Sequence, residues 1–289
     1  MVEDVREALG ANLVGVYLQG SFALGDGDAF SDVDFIVVTQ TDIADEDVPR
    51  LNAMHAAIHG LPEEWAQHLE GSYVPAAILR QSDGGGPRDR PGAPRPADWA
   101  DPGVTGGRAT KYPLLFLNNG SRQLVRSQHD NTLVVSWVLR ERGIALWGPP
   151  ARSLIDPIDL GALRDEVAAM MRGFGQAVVD GDITLDALHL QGFTVLFCCR
   201  ALVTLERGRI VSKPVAADWA REALDERWRP LIARAWADRA RYPRGRGAPE
   251  AHAALKPSPD EAALTREFVR YAFAYAERRY PSFATVREA

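Results

Sequence analysis

Two hydrophobic rhythms divide this chain. Up to about residue 150 the apolar residues come in short runs broken by Gly, Pro, Ser and Asp. From Asp159 onward they recur every three or four residues. Short bounded runs indicate buried strands, and the longer period indicates helices packed on one another. The pattern therefore predicts an α+β chain, with a mixed domain over residues 1–152 and an all-α bundle over 153–289. No internal repeat is present.

Within the first part, Glu3 to Asn12 reads as a helix. Val14, Val16 and Leu18 alternate as in a strand that runs into Gly20-Ser21, and Val33 to Val38 is a second, β-branched and aromatic strand. From Asp42 to Gln67 the features are helical. Asp45, Glu46 and Asp47 precede Pro49, and Leu51, Met54, Ala57 and Ile58 follow at helical spacing until Gly60-Leu61-Pro62. A further helical turn is expected at Trp65 to Leu69. Ser72 to Val74 reads as a strand with Glu70 at its start, and Tyr112 to Leu117 as a strand or buried connector. Between them, residues 81–111 are rich in Gly, Pro, Asp and Arg and are expected to form a long, mostly disordered loop. A helix capped by Asp130 or Asn131 carries Leu133, Val134, Trp137 and Val138. Gly143 and Gly148-Pro149-Pro150 end it. His129 reads as a surface or capping histidine.

In the second part helices are expected at Leu160 to Val179, Leu185 to Glu206, Val215 to Ala223 and Arg227 to Arg241, with a last one capped by Asp260. The second is apolar nearly all round, which places it at the centre of the bundle. Aromatic residues on these helices read as core.

Composition narrows the function classes. The apolar fraction of 46% in 289 residues supports a sizeable core. A net charge of -6 argues against nonspecific nucleic-acid binding. No run of about 18 apolar residues suggests a membrane span, and the acidic, amphipathic start MVEDVREALG is unlike a signal peptide. Cys198 and Cys199 are adjacent and read as buried thiols in a reducing compartment, so a cytoplasmic location is expected. No cysteine or histidine spacing suggests a metal site.

The chemistry lies in VGVYLQGSFALGDGDAFSDVDFIVV, residues 14–38. Strand side chains alternate, so Asp32 and Asp34 share a face about 6–7 Å apart. Two carboxylates at the mouth of an apolar strand are costly unless paired, wet or metal-bound. Hard oxygen ligands suit Mg²⁺, which retains waters and takes phosphate oxygens. Gly20 lets the backbone approach a ligand, and Ser21 can cap a short helix whose N-terminus favours phosphate. A phosphate cradle beside a two-carboxylate metal site implies phosphoryl or nucleotidyl transfer. The plainer reading is a turn leading into a core strand, with Asp34 solvated. Glu70 opens a neighbouring strand and offers a carboxylate able to take a hydroxyl proton, with Glu63 and Glu64 as substitutes. Farther on, Arg200 sits on an apolar helix, where burial is expensive without an anion. With Lys213 it can converge on a triphosphate; alternatively it bridges to Asp218 or Glu206.

Gly20-Ser21 followed by Ser31-Asp32-Val33-Asp34 resembles the signature of the polymerase-β-type nucleotidyltransferases. It is most similar to the aminoglycoside nucleotidyltransferases of the streptomycin/spectinomycin adenylyltransferase kind. A second block, from Arg200 through Ser212-Lys213 to Ala216-Ala217-Asp218-Trp219, resembles the C-terminal domain of the same family. The resemblance implies a catalytic domain, a helical domain and a site between them. Transfer of AMP from ATP to a hydroxyl of an aminoglycoside-like acceptor, the antibiotic-resistance type, follows from it. It also implies two Mg²⁺ held by Asp32, Asp34 and Glu70, with Glu70 as general base. The nucleotide would be bound by Gly20, Ser21, Ser31, Arg200, Lys213 and the adenine-packing Tyr242. ATP and a small acceptor are the expected partners of a monomer, without nucleic acid or membrane. Where streptomycin-modifying members carry an acid and a His, ten and seven positions before the Arg, this chain has Leu190 and Phe193. A less acidic acceptor pocket is expected. The competing classes are transfer to a protein or RNA, and an inactive nucleotide-binding regulator.

Overall fold

A computed structural model describes residues 1–29, 31–80, 112–241, 258–280 and 283. The expected loop at 81–111 and Tyr242 lie outside the described residues. The chain divides into two compact units between Asp159 and Leu160.

The first unit is built on a six-stranded mixed sheet among the described residues, ordered β5-β4-β3-β2-β1-β6. Its elements run α1(Val2–Leu9), β1(Leu13–Leu18), α2(Gly20–Leu24), β2(Val33–Thr39), α3(Val48–His59), β3(Leu69–Pro75), α4(Ala76–Leu79), β4(Leu114–Leu117), β5(Leu124–Ser127), α5(Leu133–Arg142) and β6(Ile144–Trp147). Only β2 and β3 pair in parallel, and the other neighbours are antiparallel. Strand β2 is apolar at every position from Phe35 to Val38 because both its faces are covered. Phe35 and Val37 join Val5, Leu9, Leu51 and Tyr73 on one side. Ile36 and Val38 join Tyr17, Val74, Leu114 and Leu139 on the other.

Local sequence rules fail at three places. The cap of α5 is Thr132, whose hydroxyl accepts from Val135 N at 3.1 Å, not Asp130 or Asn131. Asp130 is turned inward instead, and Asn131 Nδ2 donates to the Tyr112 carbonyl at 2.9 Å. Strand β6 fills the stretch between Gly143 and Gly148 that reads as a terminator. It pairs with β1, more than a hundred residues earlier, so no local pattern announces it. Strand β5 escapes notice for the same reason, being four residues long with Val125 exposed.

The second unit contains α6(Leu160–Asp180), α7(Leu188–Arg207), α8(Lys213–Ala223), α9(Arg229–Ala237) and α10(Pro259–Arg279). Helix α7 packs against α6, α8, α9 and α10, as its apolar circumference predicts. It is long and apolar enough to cross a membrane, but 72% of its most apolar stretch is buried inside the fold. Cys198 and Cys199 are both enclosed there. Burial pushes the Cys198 thiol up to about 12 and the Cys199 thiol well above its ordinary value, so neither is a ready nucleophile. The expected helix at Arg227 to Arg241 is broken into a 3₁₀ turn at Glu226–Trp228, α9 and a second 3₁₀ turn, with Pro230 in the first turn of α9. The last helix is capped by Ser258, not Asp260. Ser258 and Glu261 form a reciprocal capping box, and Pro259 takes the first helical position, where its missing N–H costs nothing.

Candidate active site

The parallel pairing of β2 with β3 builds the centre of the site. Its register sets Asp34 opposite Glu70. Adjacent strands lie about 4.8 Å apart, so the two carboxylates stand side by side on one face. Asp32 immediately precedes β2 and accepts from Asn119 Nδ2 at 2.7 Å. Asn119 is held in turn by His68, Nδ1 to Oδ1 at 3.2 Å.

The turn from β1 into α2 fits around this pair. Gln19 N donates to the Asp34 carbonyl at 3.0 Å, and its side-chain Oε1 accepts from Gly20 N at 3.0 Å. Gln19 is therefore the cap of α2, and Ser21 lies inside the first turn, not at the cap. Gly20 has φ +61, and a Cβ there would stand 1.9 Å from Asp34 Oδ2. The Asp34 carboxylate occupies the space that a side chain at residue 20 would need. Ser31 is buried and closes the turn before Asp32. Its hydroxyl donates to Asp28 Oδ1 at 2.9 Å and accepts from Asp28 N at 3.1 Å.

The same face of β3 continues to Ser72, in register with Phe116 of β4. Ser72 Oγ donates to Asp130 Oδ2 at 2.7 Å. Burial pushes the Asp130 carboxyl up, while neighbouring His129 and the Ser72 hydrogen bond pull it down. The His129 ring stacks on Phe116, centroids 4.7 Å apart at 25°, with Nε2 3.9 Å from Glu70 Oε1. His129 lies at the surface, as expected, with its ring set against Phe116 and Glu70. The two-residue spacing of Glu70 and Ser72 was readable as a shared face. Their contacts with His129 and Asp130, more than fifty residues away, had no local signal.

Among the described residues no group of three His, Cys, Asp or Glu side chains is placed to hold a metal ion. What the sheet brings together is the pair Asp34 and Glu70, with Asp32 next in sequence. These oxygen donors fit Mg²⁺, which needs one or two carboxylates and completes its shell with water and phosphate oxygens.

In the second unit, Arg200 Nε donates to the Val211 carbonyl at 3.2 Å. This bond holds its guanidinium at the loop leading into α8, where Ser212 is buried at the cap position and Lys213 is the first helical residue. A cation at a helix N-terminus opposes the helix dipole, so this corner favours an anion. Of the two acids considered as partners of Arg200, Asp218 pairs with Arg221 at 2.6 Å, and Glu206 accepts from the Tyr275 hydroxyl at 3.3 Å. Phe193 corrects the core reading of the helical aromatics, being 46% exposed.

Residues 153–253 match the family model for the aminoglycoside adenylyltransferase C-terminal domain. No curated protein sequence matches the chain. Among solved structures, spectinomycin adenyltransferase AAD(9) from Enterococcus faecialis, with ATP and spectinomycin, is similar over 94% of this chain and 95% of that one. The TM-score is 0.60 at 15% identity, a likeness of fold. By class, the fold and the matched helical region support a nucleotidyltransferase. The family match belongs to residues 153–253, and the solved structure adds a likeness of fold over the whole chain.

Proposed function

We propose that this chain transfers AMP from ATP to a hydroxyl of an aminoglycoside-like small molecule and releases pyrophosphate. The observation that carries the reading is the register pairing of Asp34 with Glu70 beside the Gly20 turn. It occurs in a chain whose helical region matches the adenylyltransferases.

Asp32 and Asp34, with Glu70, would hold two Mg²⁺, which supply Lewis acidity toward phosphoryl oxygens. Glu70 takes the proton of the acceptor hydroxyl, a role that needs a carboxylate within hydrogen-bond reach of it. Asn119 Nδ2 holds Asp32 Oδ1 and fixes the carboxylate's orientation. Gly20 and Ser21 face the phosphates from the start of α2, and Ser31 acts through the turn that delivers Asp32. Arg200 and Lys213 neutralise phosphate charge by charge-assisted hydrogen bonds. Tyr242 packs on the adenine. The protein works as a cytoplasmic monomer, where ATP is abundant and Cys198 and Cys199 stay reduced.

The test is pyrophosphate release from Mg-ATP with a panel of aminoglycosides, streptomycin and spectinomycin included, alongside Asp32→Asn. Acceptor-dependent release that Asp32→Asn loses supports the reading. Full activity in Asp32→Asn refutes the assignment of that residue, and absence of release with every acceptor refutes the acceptor class.

A further inference from the structure

His68 reaches Asp32 from two sides. It is the last residue before β3, and its carbonyl accepts from Val33 N at 2.8 Å, which pins the chain directly after Asp32. Its Nδ1 meets Asn119 Oδ1 at 3.2 Å, and Asn119 Nδ2 donates to Asp32 Oδ1 at 2.7 Å. An ionised carboxylate only accepts, so the Asn119 amide turns its NH₂ to Asp32 and its carbonyl oxygen to His68. His68 must then donate, which fixes the Nδ1–H tautomer and leaves Nε2 as an acceptor. That Nε2 is shut off from solvent and has no hydrogen-bond partner among the described residues. Asn119 itself stands exposed in the connection between β4 and β5, where Gly120 turns the chain at φ +75.

We infer that His68 is a positioning residue: by donating Nδ1–H to Asn119 it holds the amide that sets the Asp32 carboxylate for the transfer. The inference deepens the proposed function and rests on it for the use made of Asp32. Burying a ring nitrogen without a partner opposes folding, and a leucine in its place would remove that cost. The bond that His68 does make lies at an exposed site, where water can replace it. Stability therefore gives no reason for a histidine before β3. What the imidazole supplies is a donor aimed at Asn119. A side chain on an exposed turn samples several rotamers unless its polar end is held. Flipped, Asn119 would set its carbonyl oxygen against Asp32 Oδ1, two acceptors facing each other. His68 disfavours that arrangement by giving the oxygen a donor of its own.

The test compares the full-length wild type with His68→Leu, His68→Asn, Asn119→Ala and the His68→Leu/Asn119→Ala double variant. Asparagine brings an amide N–H close to the place of Nδ1, and leucine brings none. In pyrophosphate release from Mg-ATP with the acceptor panel, His68→Leu should lower kcat about tenfold and leave KM for ATP within about twofold. His68→Asn should recover most of that loss. Adding His68→Leu to Asn119→Ala should cost nothing further, since both act through one chain of bonds. The urea midpoint of His68→Leu should equal or exceed that of the wild type. Proton–nitrogen NMR spectra give a reading that needs no turnover. The Asn119 NH₂ pair, identified by its loss in Asn119→Ala, should show two well-separated proton shifts in the wild type that draw together in His68→Leu. The inference is overturned by an unchanged kcat in His68→Leu, by losses that add in the double variant, by His68→Asn being as slow as His68→Leu, or by a urea midpoint that falls together with the activity. A wild type that releases no pyrophosphate with any acceptor refutes the proposed function by itself. The spectra then decide: an unmoved Asn119 pair in His68→Leu overturns the hold of His68 on Asn119, and a collapsed pair upholds it.

Discussion

Gly20→Ala separates chemistry from stability at a single carbon atom. At φ +61 an L side chain is strained, at a cost of about 1–2 kcal/mol. The added Cβ would also stand 1.9 Å from Asp34 Oδ2, 2.5 Å from Cγ and 2.9 Å from Cβ. Ordinary contact begins at 3.4 Å, so the Asp34 carboxylate must retreat by roughly 1.5 Å. A misplacement of about 1 Å in a catalytic group costs about 100-fold in rate. Gly25→Ala is the matched control. It has φ +83 with nothing within 4 Å of its added Cβ, so it carries the backbone strain without the collision. Urea unfolding should show Gly25→Ala destabilised by about 1–2 kcal/mol and Gly20→Ala by at least as much. Pyrophosphate release should fall about 100-fold in Gly20→Ala and stay within a few-fold in Gly25→Ala. Equal activity in the two variants would refute the placement of Asp34 over residue 20 as a catalytic requirement.

Other perturbations probe separate parts of the structure. Burial lowers His55 from 6.5 to about 4, so the unfolded chain binds its proton first as pH falls. Stability is then full near pH 7 and drops by about 2 kcal/mol at pH 5. Urea midpoints at the two pH values, compared with His55→Phe, should show this loss only in the wild type. Asn119→Ala removes the 2.7 Å hydrogen bond to Asp32. The bond is exposed, so unfolding should shift by about 1 kcal/mol or less, while turnover should fall about tenfold as Asp32 loses its positioning. Ser258→Ala removes one arm of the capping box on α10 and should lower stability by about 1 kcal/mol, measured by thermal unfolding.

Much of this architecture was legible because it is locally encoded. The β-branched run of β2, the Gly20 turn and the uniform apolarity of α7 each report their own environment. Asp32, Asp34, Arg200 and Lys213 stood out because charged residues beside apolar runs need a reason, whereas Glu70 as the base followed from the family resemblance. What stayed hidden depends on partners far along the chain. His129 looked isolated until β4 brought Phe116 under its ring. Asp130 looked like a cap, but Ser72 of β3 claims it. Asn119 had no signal at all, since a turn asparagine is ordinary and Asp32 is 87 residues away. Strand β6 was concealed by the glycines on either side of it.

The alignment of Asp34 with Glu70 also governs which insertions and deletions this lineage can accept. The connection between β2 and β3 runs from Gln40 to His68 and can change length without moving either acid, because the strands pair independently of the path that joins them. One residue inserted between Val33 and Phe35, or between Leu69 and Gly71, would send the downstream residues to the opposite face. An insertion directly after Val33 would set the new residue beside Glu70 and turn Asp34 to the other face. Length variation among descendants of this chain should therefore collect in the connection and be absent from the first turns of both strands.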